Sequence, residues 1–335
     1  MGRMKIGFPV GRKLSRQDAV ELVQLADELG YESVWTGENW GRDACTIIGY
    51  LAGLTRKIKL GLGVIPVFSR SPALIAMTVA TLDELSEGRA ELALGISGSL
   101  VIENWHGERF HKPIQRTREY IEIIKMALRY ERVNYNGEIF HLKNFRMNFQ
   151  PIKNHVPIYI ASMGPKNVKM TSEVADGWLP IYLPKHKIKE AAKEIDEYAK
   201  GAGRSRKDIE ISYSVPIYIA KTKEEVEAAK DAERKHLAFY IGGMGIYYRD
   251  HLIRMGFPEV PEVRAAWDGG NRDGAANLVS DDMVESMTII GSSVDECRKQ
   301  LEEYFDLGID IMGVSMQGET KEAMAQWLRD FAPSA

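Results

Sequence analysis

Short runs of aliphatic and β-branched residues alternate along the chain with longer stretches whose apolar positions recur every three to four residues. Residues 4–8 open the series as a strand. The next segment predicts an amphipathic helix with Ser15 as N-cap, an apolar face of Ala19, Leu22, Val23, Ala26 and Leu29, and Gly30 at its end. Residues 33–36 form a second strand, followed by a helix through Ile47, Ile48, Leu51 and Leu54. The third strand is 58–63, and Pro72 opens a helix that runs to Glu87 and stops at Gly88. Strand four is 89–94, followed by a long polar loop and a helix over 117–130. Residues 134–149 predict a hairpin turning on Asn136 and Gly137. Strands five to seven are 157–161, 177–181 and a long run at 209–220, separated by helices over 167–175 and 187–200. From Lys223 to about Glu285 the pattern is mostly helical, broken near 242–243, 256–258 and 268–270. A helix over 293–307, an eighth strand at 310–315 and a closing helix over 320–331 complete the chain.

Strands that alternate with helices imply parallel pairing through right-handed crossovers. Runs such as IKLGLG and PIYIA are apolar on both faces, as in a sheet covered on both sides. An open dinucleotide-binding sheet would carry G-x-G-x-x-G after a strand, and no strand here does. The fold expected is therefore α/β, a (β/α)8 TIM barrel: one domain over 1–335, with a helical insertion at about 223–285 before the last strand.

Composition narrows the function classes. Lys plus Arg number 44 against 47 Asp plus Glu, and no basic block stands out, which argues against nucleic-acid binding. No apolar run is long enough to cross a bilayer, and MGRMKIGFPV lacks the apolar core of a signal peptide. The two cysteines, Cys45 and Cys297, form neither a disulfide framework nor a metal motif. The expectation is a cytoplasmic protein with a small-molecule substrate, no metal, no membrane and no nucleic acid.

In a barrel, chemistry collects at the C-terminal ends of the strands. After strand five, Met163, Gly164, Pro165 and Lys166 lead into a helix N-terminus. That geometry suits a phosphate, with Lys166 adding charge, and it equally suits a plain strand-to-helix turn. Gly95, Ser97, Gly98 and Ser99 after strand four carry the same two readings; together the two turns favour a phosphate-bearing cofactor. Glu38, Asn39 and Trp40 follow strand two, where a carboxylate beside an amide can orient a substrate or move a proton, or cap the next helix. His106 is the histidine in a candidate site loop, against the commoner case of a surface residue. Tyr247, Tyr248 and Trp267 either form a lid over the barrel mouth or pack the insertion onto it.

The segments 70–99 (RSPALIAMTVATLDELSEGRAELALGISGS), 30–44 (GYESVWTGENWGRDA), 103–124 and 157–180 (PIYIASMGPKNVKMTSEVADGWLP) resemble the luciferase-like oxidoreductases. Within that family, ENWHGERFHKPIQRTREY and ASMGPKNV are most similar to the branch that uses the deazaflavin coenzyme F420, near the methylenetetrahydromethanopterin reductases. The FMN-dependent monooxygenases are the alternative branch, and a non-catalytic flavin-binding barrel is a third reading. The resemblance implies an oxidoreductase transferring hydride between F420 and a small organic substrate. It implies cofactor contacts at Asn39, Gly63, Val64, Ile65, Ser97, Gly98, Ser99, Met163, Gly164, Pro165 and Lys166. Glu38, Asn39 and Trp40 are then the catalytic candidates, and a homodimer packed through barrel helices is implied. A non-proline cis peptide is expected at Gly63-Val64, against one face of the deazaflavin. Many deazaflavin enzymes have histidine where this chain has Asn39, and an amide is no general base.

Overall fold

The computed structural model describes residues 4–10, 14–38 and 41–333. Its elements in chain order begin with β1 (Ile6–Pro9), α1 (Arg16–Leu29), β2 (Ser33–Thr36), α2 (Ala44–Ala52), β3 (Lys59–Pro66), α3 (Pro72–Leu85) and β4 (Ala90–Gly95). There follow α4 (Ser99–Trp105), α5 (Pro113–Leu128), the hairpin β5 (Val133–Asn136) and β6 (His141–Phe145), then β7 (Ile158–Ala161), α6 (Pro165–Val174), β8 (Gly177–Leu179), α7 (Ile188–Gly201) and β9 (Glu210–Val215). The remainder is β10 (Ile217–Ile219), α8 (Lys223–Gly243), α9 (Ile246–Met255), α10 (Val260–Asp268), α11 (Arg272–Asn277), α12 (Asp281–Glu285), β11 (Ile289–Gly291), α13 (Val294–Asp306), β12 (Ile311–Val314) and α14 (Lys321–Asp330).

Eight strands close a parallel barrel in the order β1-β2-β3-β4-β7-β8-β9-β12. The expected (β/α)8 architecture is present, and the local chemistry explains its punctuation. Ser15 accepts a hydrogen bond from the Asp18 amide at the start of α1, and Gly30 closes that helix in the left-handed region at φ 78°. Apolar residues of the barrel strands and the inner helix faces form one large core. A second cluster, built around Leu237, Ile241, Leu252, Val260, Val263 and Met283, belongs to the helices between β10 and β11.

Four local departures from the pattern have physical causes. The run expected as one strand over 209–220 divides at Pro216, which has no N–H to donate. Its first half stays in the barrel, while β10 leaves to pair with β11, a strand the pattern does not announce. The polar segment after β4 is not all loop, because Ser99–Trp105 turns as a short helix. The hairpin is not closed by a tight Asn-Gly turn: Gly137 donates to the Phe140 carbonyl at 2.9 Å, and Glu119 accepts from the amides of Glu138, Ile139 and Phe140. Finally, the break expected near 242–243 falls one to two residues later: α8 ends at Gly243, and Met244 and Gly245 separate it from α9.

Candidate active site

A barrel interior is ordinarily filled by bulky side chains. Here large rings fill only the middle: the Trp35 indole lies on Gly61 and the Tyr159 ring on Gly177, and the two rings meet edge to face at 5.6 Å. Above them the strands present Gly63, Gly95, Ala161, Ser214 and Gly313, too small to meet across the barrel. The result is a cavity of about 590 Å³ that opens at the C-terminal mouth. Every barrel strand contributes to its wall at that end, through Pro9, Glu38, Pro66, Gly95, Met163, Pro180, Val215 and Ser315.

The β3 edge of the cavity is bulged. The β3–β4 register shifts between Leu62 and Ile65, and the Gly63-Val64 peptide is cis, at the position the resemblance implied. Two neighbours fit around the bulge because they lack side chains. A Cβ on Gly37 would lie 2.8 Å from the Val64 nitrogen, and one on Gly95 would lie 2.6 Å from Val64 Cγ1. The Glu38 amide donates to the Val64 carbonyl at 3.1 Å, tying the β2 loop to the bulge.

The glycines at the phosphate candidates differ in kind. Gly98 and Gly164 are the N-caps of α4 and α6, both with extended backbone that any residue adopts, and a Cβ on either would meet nothing within 4 Å. Neither conformation nor packing therefore requires glycine there. Neither cap supplies a side-chain acceptor, whereas Ser15, Asp43, Ser71, Thr222 and Thr320 do so at their helices. With the Val101 and Asn167 amides already donating to the Gly98 and Gly164 carbonyls and no N–H on Pro165, the amides without such a bond are those of Ser99 and Leu100 in α4 and Lys166 in α6, and helix N-termini of this kind suit an anionic ligand.

Of the residues singled out in the sequence, Glu38, Gly63, Val64, Ser97, Gly98 and Met163 line the cavity. Ser97 turns the chain there with φ 58°. Ile65 is fully buried and, with Ser99 and Gly164, stands behind the wall, while Pro165 and Lys166 are exposed on the first turn of α6. Asn39 and Trp40 lie outside the described residues. Both Glu38 carboxylate oxygens are engaged, one by Arg70 and the other by Ser69 Oγ at 3.2 Å. His106 is exposed at the end of α4 and takes no part in the wall.

The insertion supplies the far wall, which the sequence reading left open. Tyr247 and Tyr248 line the cavity, while Trp267 instead packs on Gly242 within the insertion. One face of α8 adds Glu233, His236, Leu237, Tyr240 and Met244, at helical spacing that could have been read from the sequence. Opposite them stands Tyr182 from the loop after β8, whose hydroxyl lies 3.1 Å from His236 Nε2. Burial, with Tyr240 and Tyr248 close by, pushes the Tyr182 phenol well above its ordinary range. His251 Nε2 donates to the Tyr182 carbonyl at 3.1 Å, and burial depresses that imidazole to about 4.

The comparisons with known proteins agree with this architecture. The luciferase-like monooxygenase family model matches residues 6–310. A Mycobacterium tuberculosis protein, named provisionally as a coenzyme F420-dependent oxidoreductase, is 35% identical, with 98% of each chain covered. The 5,10-methylenetetrahydromethanopterin reductase of Archaeoglobus fulgidus is 31% identical over 91% of each chain. The structure of the coenzyme F420 dependent tetrahydromethanopterin reductase from Methanopyrus kandleri superposes with a TM-score of 0.79 at 23% identity, covering 99% of this chain and 98% of that one. The cavity, the bulged third strand and these likenesses converge: the chain is a (β/α)8-barrel enzyme of the luciferase-like family.

Proposed function

We propose that the protein is an F420-dependent oxidoreductase, transferring hydride between the deazaflavin and a small organic substrate. The observation that carries this reading is the pair of glycine-capped turns, at Gly98 and Gly164, that flank one hollow barrel mouth. Relatives 35% and 31% identical to this chain are named for coenzyme F420 and as a methylenetetrahydromethanopterin reductase. The residues present fit a phosphate-bearing flavin: open space above both caps, no side-chain cap on either helix, and the Val64 bulge on one wall. Such a cofactor supplies two-electron hydride chemistry.

The chain's own tasks are then distinct. Ser97, Gly98 and Ser99, with Met163, Gly164, Pro165 and Lys166, hold the phosphate end; Gly63 and Val64 shape the wall for the ring, with Ile65 packed behind them, and Asn39 belongs beside it. Glu38, Asn39 and Trp40 belong next to the reacting centre, and the engagement of Glu38 by Arg70 and Ser69 suits positioning better than proton transfer. Uncovered Leu74, Met77 and Leu85 on α3, beside Tyr50 on α2, support a homodimer through barrel helices. Unpaired Cys45 and Cys297 support a cytoplasmic setting, and no described helix is long and apolar enough to cross a membrane.

The family also contains monooxygenases, as its model's name records, and the same cradle accommodates the phosphate of FMN. Titration of the purified protein with F420 and with FMN, followed by quenching of tryptophan fluorescence, separates the two readings. Micromolar F420 binding with weaker FMN binding is expected. Tighter FMN binding with oxygen consumption overturns the proposal. A bound F420 that no donor reduces, and whose reduced form no acceptor oxidises, leaves the non-catalytic barrel.

A further inference from the structure

Hydride transfer to a carbonyl carbon leaves negative charge on oxygen, and a proton must arrive there; hydride transfer to an iminium carbon needs none. A built proton couple at the substrate end of the cavity therefore says which kind of acceptor the enzyme takes. The usual histidine after the second strand is Asn39 in this chain, so any such couple must come from elsewhere.

Tyr182 and His236 have the required arrangement. Tyr182 is 9% exposed, and its hydroxyl meets His236 Nε2 at 3.1 Å. His236 stands on the other wall and is itself exposed to solvent. Another cavity tyrosine, Tyr213, is not available, because its hydroxyl donates to the Leu183 carbonyl at 2.8 Å and accepts from the Leu183 amide. The Tyr182 backbone is held in the left-handed region at φ 50°, which a tyrosine rarely adopts. His251 grips its carbonyl and Tyr213 grips the next residue, so the surroundings over-determine that conformation. The titratable groups around the couple are Glu233 and Tyr240 on α8 and Tyr248 on α9, and Glu233 accepts the Tyr218 hydroxyl at 2.6 Å. No lysine or arginine is among the described residues of the cavity wall.

We propose that Tyr182 exchanges a proton with the oxygen of an uncharged carbonyl or alcohol substrate, and that His236 connects Tyr182 to solvent. The inference rests on the F420 reading above. In the reductive direction a bound reduced deazaflavin would supply the hydride, with its electron pair, to the carbonyl carbon and would release its second proton to solvent. The carbonyl oxygen, gaining the π pair, takes the Tyr182 proton, and His236 returns a proton to Tyr182. In the oxidative direction each transfer reverses. A phenol this buried resists becoming a free phenolate, so Tyr182 must pass one proton on as it takes another, and the adjacent imidazole is what permits that. Tyr182 is then a catalytic residue, and His236 a positioning and relay residue acting through it.

The test uses the full chain and the variants Tyr182→Phe and His236→Ala. Acetophenone serves as the uncharged probe, benzoate as its anionic counterpart, and 1-phenylethanol as the alcohol. Titrations are run with and without F420, whose own affinity is measured separately. Acetophenone is expected to bind the parent protein at least tenfold tighter than Tyr182→Phe, and benzoate to bind neither. F420 affinity should agree within twofold between the proteins. For 1-phenylethanol, Tyr182→Phe should lower kcat about 100-fold or more with little change in KM. His236→Ala should lower it about tenfold and recover with added imidazole, which a purely structural role would not allow. Equal acetophenone binding by Tyr182→Phe, no acetophenone binding at all, benzoate binding as tight as acetophenone, or no imidazole rescue overturns the proposal. So does turnover of a methylene-pterin iminium without turnover of the alcohol. Failure of the parent protein to bind F420 instead overturns the cofactor reading, and the acetophenone titrations without F420 still judge Tyr182.

Discussion

Arg70 reaches back from the loop after β3 to clasp the Glu38 carboxylate, and the same guanidinium binds Asp43 at 2.6 Å. Asp43 in turn caps α2 by accepting from the Thr46 amide at 2.7 Å. One cation thus fixes the turn beside the Val64 bulge and the start of the following helix. The Glu38 and Arg70 side chains are 15% and 23% exposed, so removing either strands a poorly solvated charge. Arg70→Met should lower unfolding free energy by about 1–3 kcal/mol. Glu38→Gln, which still accepts hydrogen bonds, should cost roughly half as much. Urea denaturation of the two variants measures both; a neutral Arg70→Met would mean the clasp holds nothing.

The uncapped turns offer a prediction in which stability and binding move in opposite directions. An aspartate at position 164 would find compatible backbone and empty space, and its carboxylate could accept from the Lys166 amide and share the Asn167 amide, which now donates to the Gly164 carbonyl at 2.9 Å. Gly164→Asp should leave stability unchanged or raise it by about 0.5–1 kcal/mol, as a good N-cap does. It should also weaken F420 by tenfold or more, because the carboxylate occupies and repels at the phosphate position. Thermal melts and fluorescence titration on the same sample check the pair. Unchanged affinity would place the phosphate elsewhere.

How much of this was legible in the sequence follows from which physical period carries the information. The barrel strands alternate with helices strongly enough to be read directly, and the turns at Ser97, Gly98 and Met163 follow from the rule that strand C-termini carry the site. The alternation within strands also encodes the hollow, in Ser212 and Ser214 of β9 and Gly61 and Gly63 of β3, but only once the inward face is known. Ile65, expected at the cofactor, stands one layer behind the cavity wall for a related reason. The bulge resets which residues of β3 face inward, and Ile65 ends up pairing with Leu94 inside the core. The spacing of the α8 wall residues was readable, but it is also the period of an ordinary surface helix, so it does not say what that face meets. His236 becomes meaningful only when Tyr182, 54 residues away, is brought against it.

Two buried groups should give stability opposite dependences on pH. Glu91 sits at the base of the barrel, where burial lifts its carboxyl to about 7 although Lys59 opposes the shift. Between its ordinary value of 4.5 and 7 the folded state binds more protons than the unfolded one, so its contribution is full below 4.5 and lost as pH rises through 7. His251 runs the other way: from 6.5 down to about 4 the unfolded state takes the proton first, so stability falls on acidification. Each contribution is on the order of 3 kcal/mol. Relative to the parent, Glu91→Gln should gain stability toward pH 8, and His251→Gln should lose less on going from pH 6.5 to 4. Urea midpoints collected across pH 4–8 decide it; parallel profiles for all three proteins would refute both assignments.

The two glycines in the last turn of α8 yield the last prediction. The Trp267 ring of α10 lies directly over Gly242, so close that any Cβ there would enter the indole. Arg272 stacks on the other part of that ring at 3.7 Å, and Arg264 donates to the Gly242 carbonyl at 2.7 Å. Glycine, though a poor helix former, is kept at 242 by this close approach. Gly242→Ala should therefore destabilise by about 1–3 kcal/mol despite alanine's higher helix propensity, because the indole must shift within a packed cluster. The barrel has its own core, so the damage should be local. Limited proteolysis should open the insertion first, and hydrogen exchange should rise in α8 and α10 while β3 and β4 keep their protection. The neighbouring Gly243→Ala, whose Cβ would lie 3.3 Å from the movable Phe239 ring, should be nearly neutral. Equal effects at the two positions would mean that helix propensity, not the Trp267 contact, decides the stability of α8.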